Sequence, residues 1–433
     1  MKSGFVVAAA SSGSGKTTFT MGLLRALRQR GLNVSPFKCG PDYIDTQFHR
    51  VASGRESVNL DMYMGTERHV KDVYCRYGAL GDVSVVEGVM GLFDGYDNMK
   101  GSTADVAVAL GLPVVLVVNS ASTAYSVGAL IYGFKHFNPQ VEILGAVFNK
   151  VASDSHFAML ERACIDAGVE CLGYVKRMPG LEVPSRHLGL TIDNARKMDE
   201  FAELAAEAVA STVNVDRLLE ISARPFQPVE SDCDKSPSRS PLTVAMAHDD
   251  AFNFVYAENI AALKRNARYD VSIVEFSPIH DAALPDADIV YLPGGYPEMY
   301  AEQLEANAAM RSDIKRFAES GGRILAECGG LLYISDSIDG KRMCGVMPFE
   351  CTMNQARLTL GYRLVHIVGF PEIRGHEFHY SKLVNPDALA SVAEQYNAKG
   401  QKVSTALYRH KNVFAGYTHL YWGETDILKL WNL

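Results

Sequence analysis

The stretch VVAAASSGSGKTTF, Val6 to Phe19, constrains this chain more than any other. Short apolar residues run into a Ser/Gly cluster that ends in Lys16 and Thr17, and the amphipathic stretch TTFTMGLLRALRQRG follows. Strand, glycine turn and helix in that order form a phosphate clamp of the P-loop kind. Gly13 and Gly15 let the backbone N–H groups around Ser14 converge on phosphate oxygens, and the helix N-terminus adds its dipole. Lys16 reaches the outer phosphates, and the Thr17 hydroxyl, with Thr18 beside it, is placed to ligate Mg²⁺. Ala10 stands where the consensus G-x-x-x-x-G-K-[ST] has its first glycine. The later glycines and the Lys-Thr pair keep the clamp.

Carboxylates are expected beside it. SVVEGVMGLFDGYD places Glu87 at the end of an apolar strand, with Asp94 and Asp97 in the loop beyond, and GPDYIDT adds Asp42 and Asp45 after another strand. A strand-end carboxylate next to a P-loop is where a Mg²⁺ ligand belongs, so Thr17 and Glu87 are the candidate metal ligands. Asn149, in FNK at the end of a later strand, is a candidate for holding adenine.

Around these motifs the chain alternates short Val-rich runs with amphipathic stretches: GFVVAAA, NVSPFKCG, DVSVVEG, LPVVLVVNS and ILGAVFNKV. Runs that do not alternate with polar residues suit strands buried on both faces, and strand–helix–strand repetition means a mainly parallel sheet flanked by helices. At 433 residues the chain exceeds one ordinary core. Residues 1–221 read as a P-loop ATP-binding domain, the Pro- and Ser-rich stretch 222–241 as a linker, and 242–433 as a second α/β domain. A formal charge of -8 argues against a nucleic-acid surface. The eight cysteines contain no C-x-x-C pair, which points to reduced thiols in a cytoplasm rather than to zinc or disulfides. No apolar run reaches ~18 residues and the N-terminus has no leader pattern, so neither a membrane partner nor a signal peptide is expected.

The second domain carries its own chemistry. LAECGG puts Cys328 after an apolar strand and before Gly329 and Gly330, the pattern of a nucleophile elbow, where a helix start should lower the thiol pKa. YLPGGYPE supplies another glycine turn at that sheet edge, so the N–H groups near Gly295 and Gly329 are the candidate oxyanion donors. AGYTHLYW offers His419 as the base. GHEFHYS contains His376, Glu377 and His379, but two His three apart in a β-rich stretch do not make a zinc protease motif, and a structural or substrate-facing role is expected.

A cysteine nucleophile with LPGG and a late His resembles the class I glutamine amidotransferase family. Joined behind an ATP domain similar to dethiobiotin synthetase, it resembles the cobyrinic acid a,c-diamide synthase family, through FKCGPDYIDT, EGVMGLFDGYD, RHLGL, DDAFNF, FSPIHD, LPGGYPE, AECGG and RGHEFHYS. The resemblance implies that ATP phosphorylates substrate carboxylates to acyl phosphates, which ammonia from L-glutamine converts to amides. It assigns Asp42, Asp45, Glu87, Asp94 and Asp97 to substrate and metal, and Cys328 and His419 to glutamine. Many relatives have Glu two residues after this His; Tyr421 stands there, which leaves the third triad member unassigned and implies slow glutamine hydrolysis without ATP and acceptor. The tetrapyrrole substrate is read as cobyrinate, with nickel-sirohydrochlorin the alternative. A P-loop partitioning or regulatory ATPase is the rival from another class. Oligomeric state is left open, a homodimer included.

Overall fold

The computed structural model describes residues 1–181, 192–227 and 239–433. RHLGL and Cys233 lie outside the described residues. The chain divides into two compact units, Met1–Ser231 and Asp232–Leu433.

In the first unit the Val-rich runs become the strands β1 (Lys2–Ala9), β2 (Val34–Cys39), β3 (Val58–Leu60), β4 (Val83–Glu87), β5 (Val114–Asn119), β6 (Ile143–Val151) and β7 (Glu170–Lys176). They pair in parallel in the order β3-β2-β4-β1-β5-β6-β7. Helix α1 (Lys16–Gln29) follows the phosphate loop and packs on the long helix Ile192–Thr212, over a core that includes Phe5, Phe19, Leu23 and Val209. The helices approach closely because Gly22 has no side chain: a Cβ there would lie 2.5 Å from the Ala205 carbonyl oxygen.

The expected linker is shorter than its composition suggests. Strand β8 (Ala223–Arg224) pairs antiparallel with Lys2 and Ser3 of β1. Its place exists because β5 begins pairing with β1 only at Val6, which leaves the first residues of β1 an open edge. Ser240 and Pro241 already belong to the next strand, and residues 228–238 lie outside those described.

The second unit holds β9 (Ser240–Ala247), β10 (Tyr269–Phe276), β11 (Ile289–Leu292) and β12 (Arg323–Glu327) in a six-stranded sheet, order β10-β9-β11-β12 and then Val413–Gly416 and Leu407–His410. All its pairs are parallel except the last. A five-stranded antiparallel sheet accompanies it and includes the strands Thr359–Ile367, Ile373–His379 and Thr418–Tyr421. The mainly parallel expectation therefore describes only the central sheet of this unit. Among the described residues no helix is long and apolar enough to cross a membrane.

Replacing Gly22 by Val should force α1 off the helix Ile192–Thr212 and destabilise the first unit by about 1–3 kcal/mol, the usual cost of overpacking. Urea denaturation would show this as a lowered midpoint at unchanged slope.

Candidate active site

Parallel pairing brings the first set of candidates together. β1 lies between β4 on one side and β5 on the other, so the phosphate loop leaves the sheet where strand order reverses. Register sets Lys38 of β2 opposite Glu87 of β4, and Glu87 opposite Val7 of β1. Over these strand ends lies a cavity of about 520 Å³, lined by Gly13, Gly15, Lys16, Thr17 and Thr18, and by Lys38, Asp42, Asp45 and Glu87. Gly13 and Gly15 hold positive φ, 76° and 98°, as a loop that turns its N–H groups inward requires. Ser14 is buried and its hydroxyl donates to the Ser11 carbonyl at 2.9 Å. The Lys16 ammonium donates to the carbonyls of Ser11 and Met90.

Glu87 is the centre of a buried polar network. Its Oε1 accepts from the Thr17 hydroxyl at 2.8 Å and from Lys38 Nζ at 3.0 Å, and its Oε2 faces His49 Nε2 at 2.7 Å. Lys38 also pairs with Asp45 at 2.5 Å. Burial alone would push the Glu87 carboxyl up, but Lys38 and His49 outweigh it and hold it well below the usual range. Burial would likewise lower Lys38, and Asp45 and Glu87 reverse that. One hydroxyl and a carboxylate at the cavity wall, with Lys38 shared between two carboxylates, is a hard-oxygen set of the kind Mg²⁺ uses with phosphate and water.

Two sequence candidates are placed differently. Asp94 is exposed and accepts the Gly91 N–H within its own loop, and Asp97 is exposed and pairs with Lys100, so neither lines the cavity. Asn149 lines it, and its amide donates to the Ser14 carbonyl and accepts from the Lys150 N–H, so it also tethers the phosphate loop. Asp42 lines the cavity while its carboxylate accepts the N–H groups of Ile44 and Asp45. Lys38 and His49 were missed; the available signal was a charged residue inside the otherwise buried strand VSPFKC.

In the second unit β12 delivers Cys328 at φ 50°, a conformation that costs a non-glycine residue strain and is expected at a nucleophile elbow. Close approach requires the glycines around it: a Cβ on Gly330 would lie 2.1 Å from the Leu292 oxygen, and one on Gly329 2.9 Å from the Gly295 nitrogen. Gly295, Glu298, Cys328, Gly329, His379 and Tyr380 line one pocket. The thiol donates to the Phe378 carbonyl at 3.6 Å. Contrary to the expected lowering, burial pushes the Cys328 thiol up, with Glu298 adding to it and the Gly329 N–H offsetting only part.

His419 is buried on the strand Thr418–Tyr421, where it pairs with His376. Burial, reinforced by His376 and His379, pushes it down to about 3, so the ring is neutral. It packs on Gly294, a residue the sequence reading passed over: a Cβ there would lie 2.1 Å from His419 Cε1. Glu377 is bound by Arg363, Thr405 and His379, and His379 lines the cysteine pocket. Tyr421 stacks edge-on against Tyr256.

Two domain families match these two units. The CobQ/CobB/MinD/ParA nucleotide binding domain matches residues 5–190, and the CobB/CobQ-like glutamine amidotransferase domain matches residues 243–427. Among curated proteins, the chain is 37% identical to cobyrinate a,c-diamide synthase of Salmonella typhimurium, covering 99% of this chain and 97% of the relative. It is 39% identical to the enzyme of that name from Streptococcus sanguinis, over 98% and 97%. It is also 39% identical to hydrogenobyrinate a,c-diamide synthase of Brucella melitensis, over 96% and 98%. With both domains matched in order and similarity running nearly end to end, the chain belongs to the cobyrinate a,c-diamide synthase family.

Proposed function

We propose that the protein uses ATP and glutamine to convert the a and c side-chain carboxylates of cobyrinate to amides. The observation that carries this reading is one chain with both a phosphate-loop cavity built on the Thr17–Glu87–Lys38 contact and a strained Cys328 that shares a pocket with Gly295. Neither site explains the other unless a carboxylate is to be activated and then given nitrogen.

In the first unit a substrate carboxylate oxygen attacks the γ-phosphorus of ATP and ADP leaves, giving an acyl phosphate. Ammonia adds to the acyl carbon and phosphate departs as the amide forms. Lys16 and the loop N–H groups hold the phosphates, and Lys38 offsets charge on the transferring group. Thr17 and Glu87 would hold Mg²⁺, which when bound neutralises phosphate charge. Asp42 and Asp45 face the same cavity and position the acceptor.

In the second unit Cys328 attacks the glutamine amide carbon, the N–H groups of Gly295 and Gly329 hold the oxyanion, and ammonia leaves. Water then hydrolyses the thioester to glutamate. His419, neutral at rest, takes and returns the proton. With the thiol pushed up and the imidazole pushed down, moving a proton between them is costly in this state. Slow glutamine hydrolysis in the absence of ATP and acceptor is the expected behaviour.

Mass spectrometry of reactions with ATP, Mg²⁺ and glutamine checks the substrate. Two successive acid-to-amide changes on cobyrinate are expected; the same change confined to nickel-sirohydrochlorin would replace that substrate, and no change on either would overturn the reading. Cys328→Ser should abolish glutamine-dependent amidation and leave ammonia-dependent amidation intact, whereas Lys38→Met should lower both by about 10²–10³-fold, as loss of a preorganised charge does. Gly294→Ala should displace His419 and cost about 10²-fold in glutamine-dependent turnover alone; comparing the two nitrogen donors measures it.

A further inference from the structure

The carboxyl beside the nucleophile has no part in the chemistry above. Glu327 ends β12 and is 2% exposed. Its Oε2 meets the Tyr291 hydroxyl at 2.8 Å, and its Oε1 accepts the backbone N–H of Leu420 at 3.1 Å. Each partner sits next to a catalytic candidate. Tyr291 is on β11 just before Gly294 and Gly295, Leu420 directly follows His419, and Glu327 directly precedes Cys328. A second clamp runs alongside, since Asn259 donates to the Leu420 carbonyl at 2.8 Å and accepts the Trp422 N–H at 2.6 Å.

We propose that Glu327 is a positioning residue of the glutamine-hydrolysing site: through Tyr291 and the Leu420 N–H it ties together the three strands that carry the oxyanion glycines, the nucleophile and His419. This rests on the reading of Cys328 and His419 given above. The strand Thr418–Tyr421 belongs to the antiparallel sheet, whereas Cys328 and Gly295 follow strands of the parallel one. Something must set the height of His419 against the elbow.

The chemistry of the clamp suits a neutral acid. No lysine or arginine among the described residues pairs with Glu327, and burial pushes its carboxyl up to about 8. A protonated carboxyl can share a hydrogen bond with Tyr291 and still accept from Leu420. An anion in this place would oppose a thiolate forming at the adjacent residue. The role is thus one of reach and hydrogen bonding, not of charge.

Three variants test it, each assayed with glutamine and with ammonia. Glu327→Gln keeps the shape and both hydrogen bonds, and should stay within about threefold of the parent, a change of under ~1 kcal/mol in barrier. Glu327→Leu and Glu327→Asp, which lose the bonds or the reach, should lower kcat with glutamine by about 10²-fold, the scale of an ångström of misplacement. KM for glutamine and the ammonia-dependent rate should hardly move. If Glu327→Leu also loses the ammonia reaction through misfolding, the Gln and Asp variants decide. The proposal fails if Glu327→Asp keeps full glutamine turnover, or if Glu327→Gln falls as far as Glu327→Asp, which would assign a charged role. A parent protein that uses ammonia but never glutamine would overturn the glutaminase reading itself.

Discussion

Parallel strand pairing is the constraint from which the rest of this molecule follows. Parallel neighbours point their carboxyl ends the same way, so every loop that leaves those ends gathers on one edge of the sheet. In the first unit this sets Lys38 and Glu87 opposite each other and beside the start of the phosphate loop. In the second unit the pairing of β11 with β12 brings the glycines after Leu292 against the turn at Cys328. Neither arrangement needs residues close in sequence, only strands that share a direction.

Such gathering places charge where water is scarce, and the two units handle it in opposite ways. The first compensates: Lys38 answers Asp45 and Glu87, and Lys38 and Glu87 are held in their ionised forms. Breaking such a network strands a charge, which costs far more than the network contributes by existing. The second withholds charge: burial disfavours the ionised forms of Cys328, His419 and Glu327 alike. The phosphate pocket thereby stands ready for an ionic ligand, while Cys328, His419 and Glu327 themselves rest uncharged.

What could be read from the chain alone follows from how locally each feature is written. The phosphate loop, Glu87 and the turn at Cys328 sit at the ends of apolar runs bounded by glycine, and such boundaries are visible without knowing any partner. Lys38 and His49 were not legible, because a buried charge is explained only by what faces it. Asp94 and Asp97 looked equivalent to Glu87 by proximity in sequence, yet the first caps its own loop and the second pairs with Lys100. The antiparallel sheet around Thr359–Tyr421 left little trace because several of its strands are short and partly exposed, with no long apolar run to mark them.

The small strand β8 bears on how the chain is made. It closes the edge of the very first strand with residues some two hundred positions later, and the long helix that covers α1 precedes it only slightly. A ribosome-bound chain therefore presents the phosphate loop early, but on a strand whose beginning is unpaired and a helix whose apolar face is bare. Contacts this distant in sequence form late and leave apolar surface open in the meantime. Only after Arg224 has been made can the earliest strand of the chain complete its pairing.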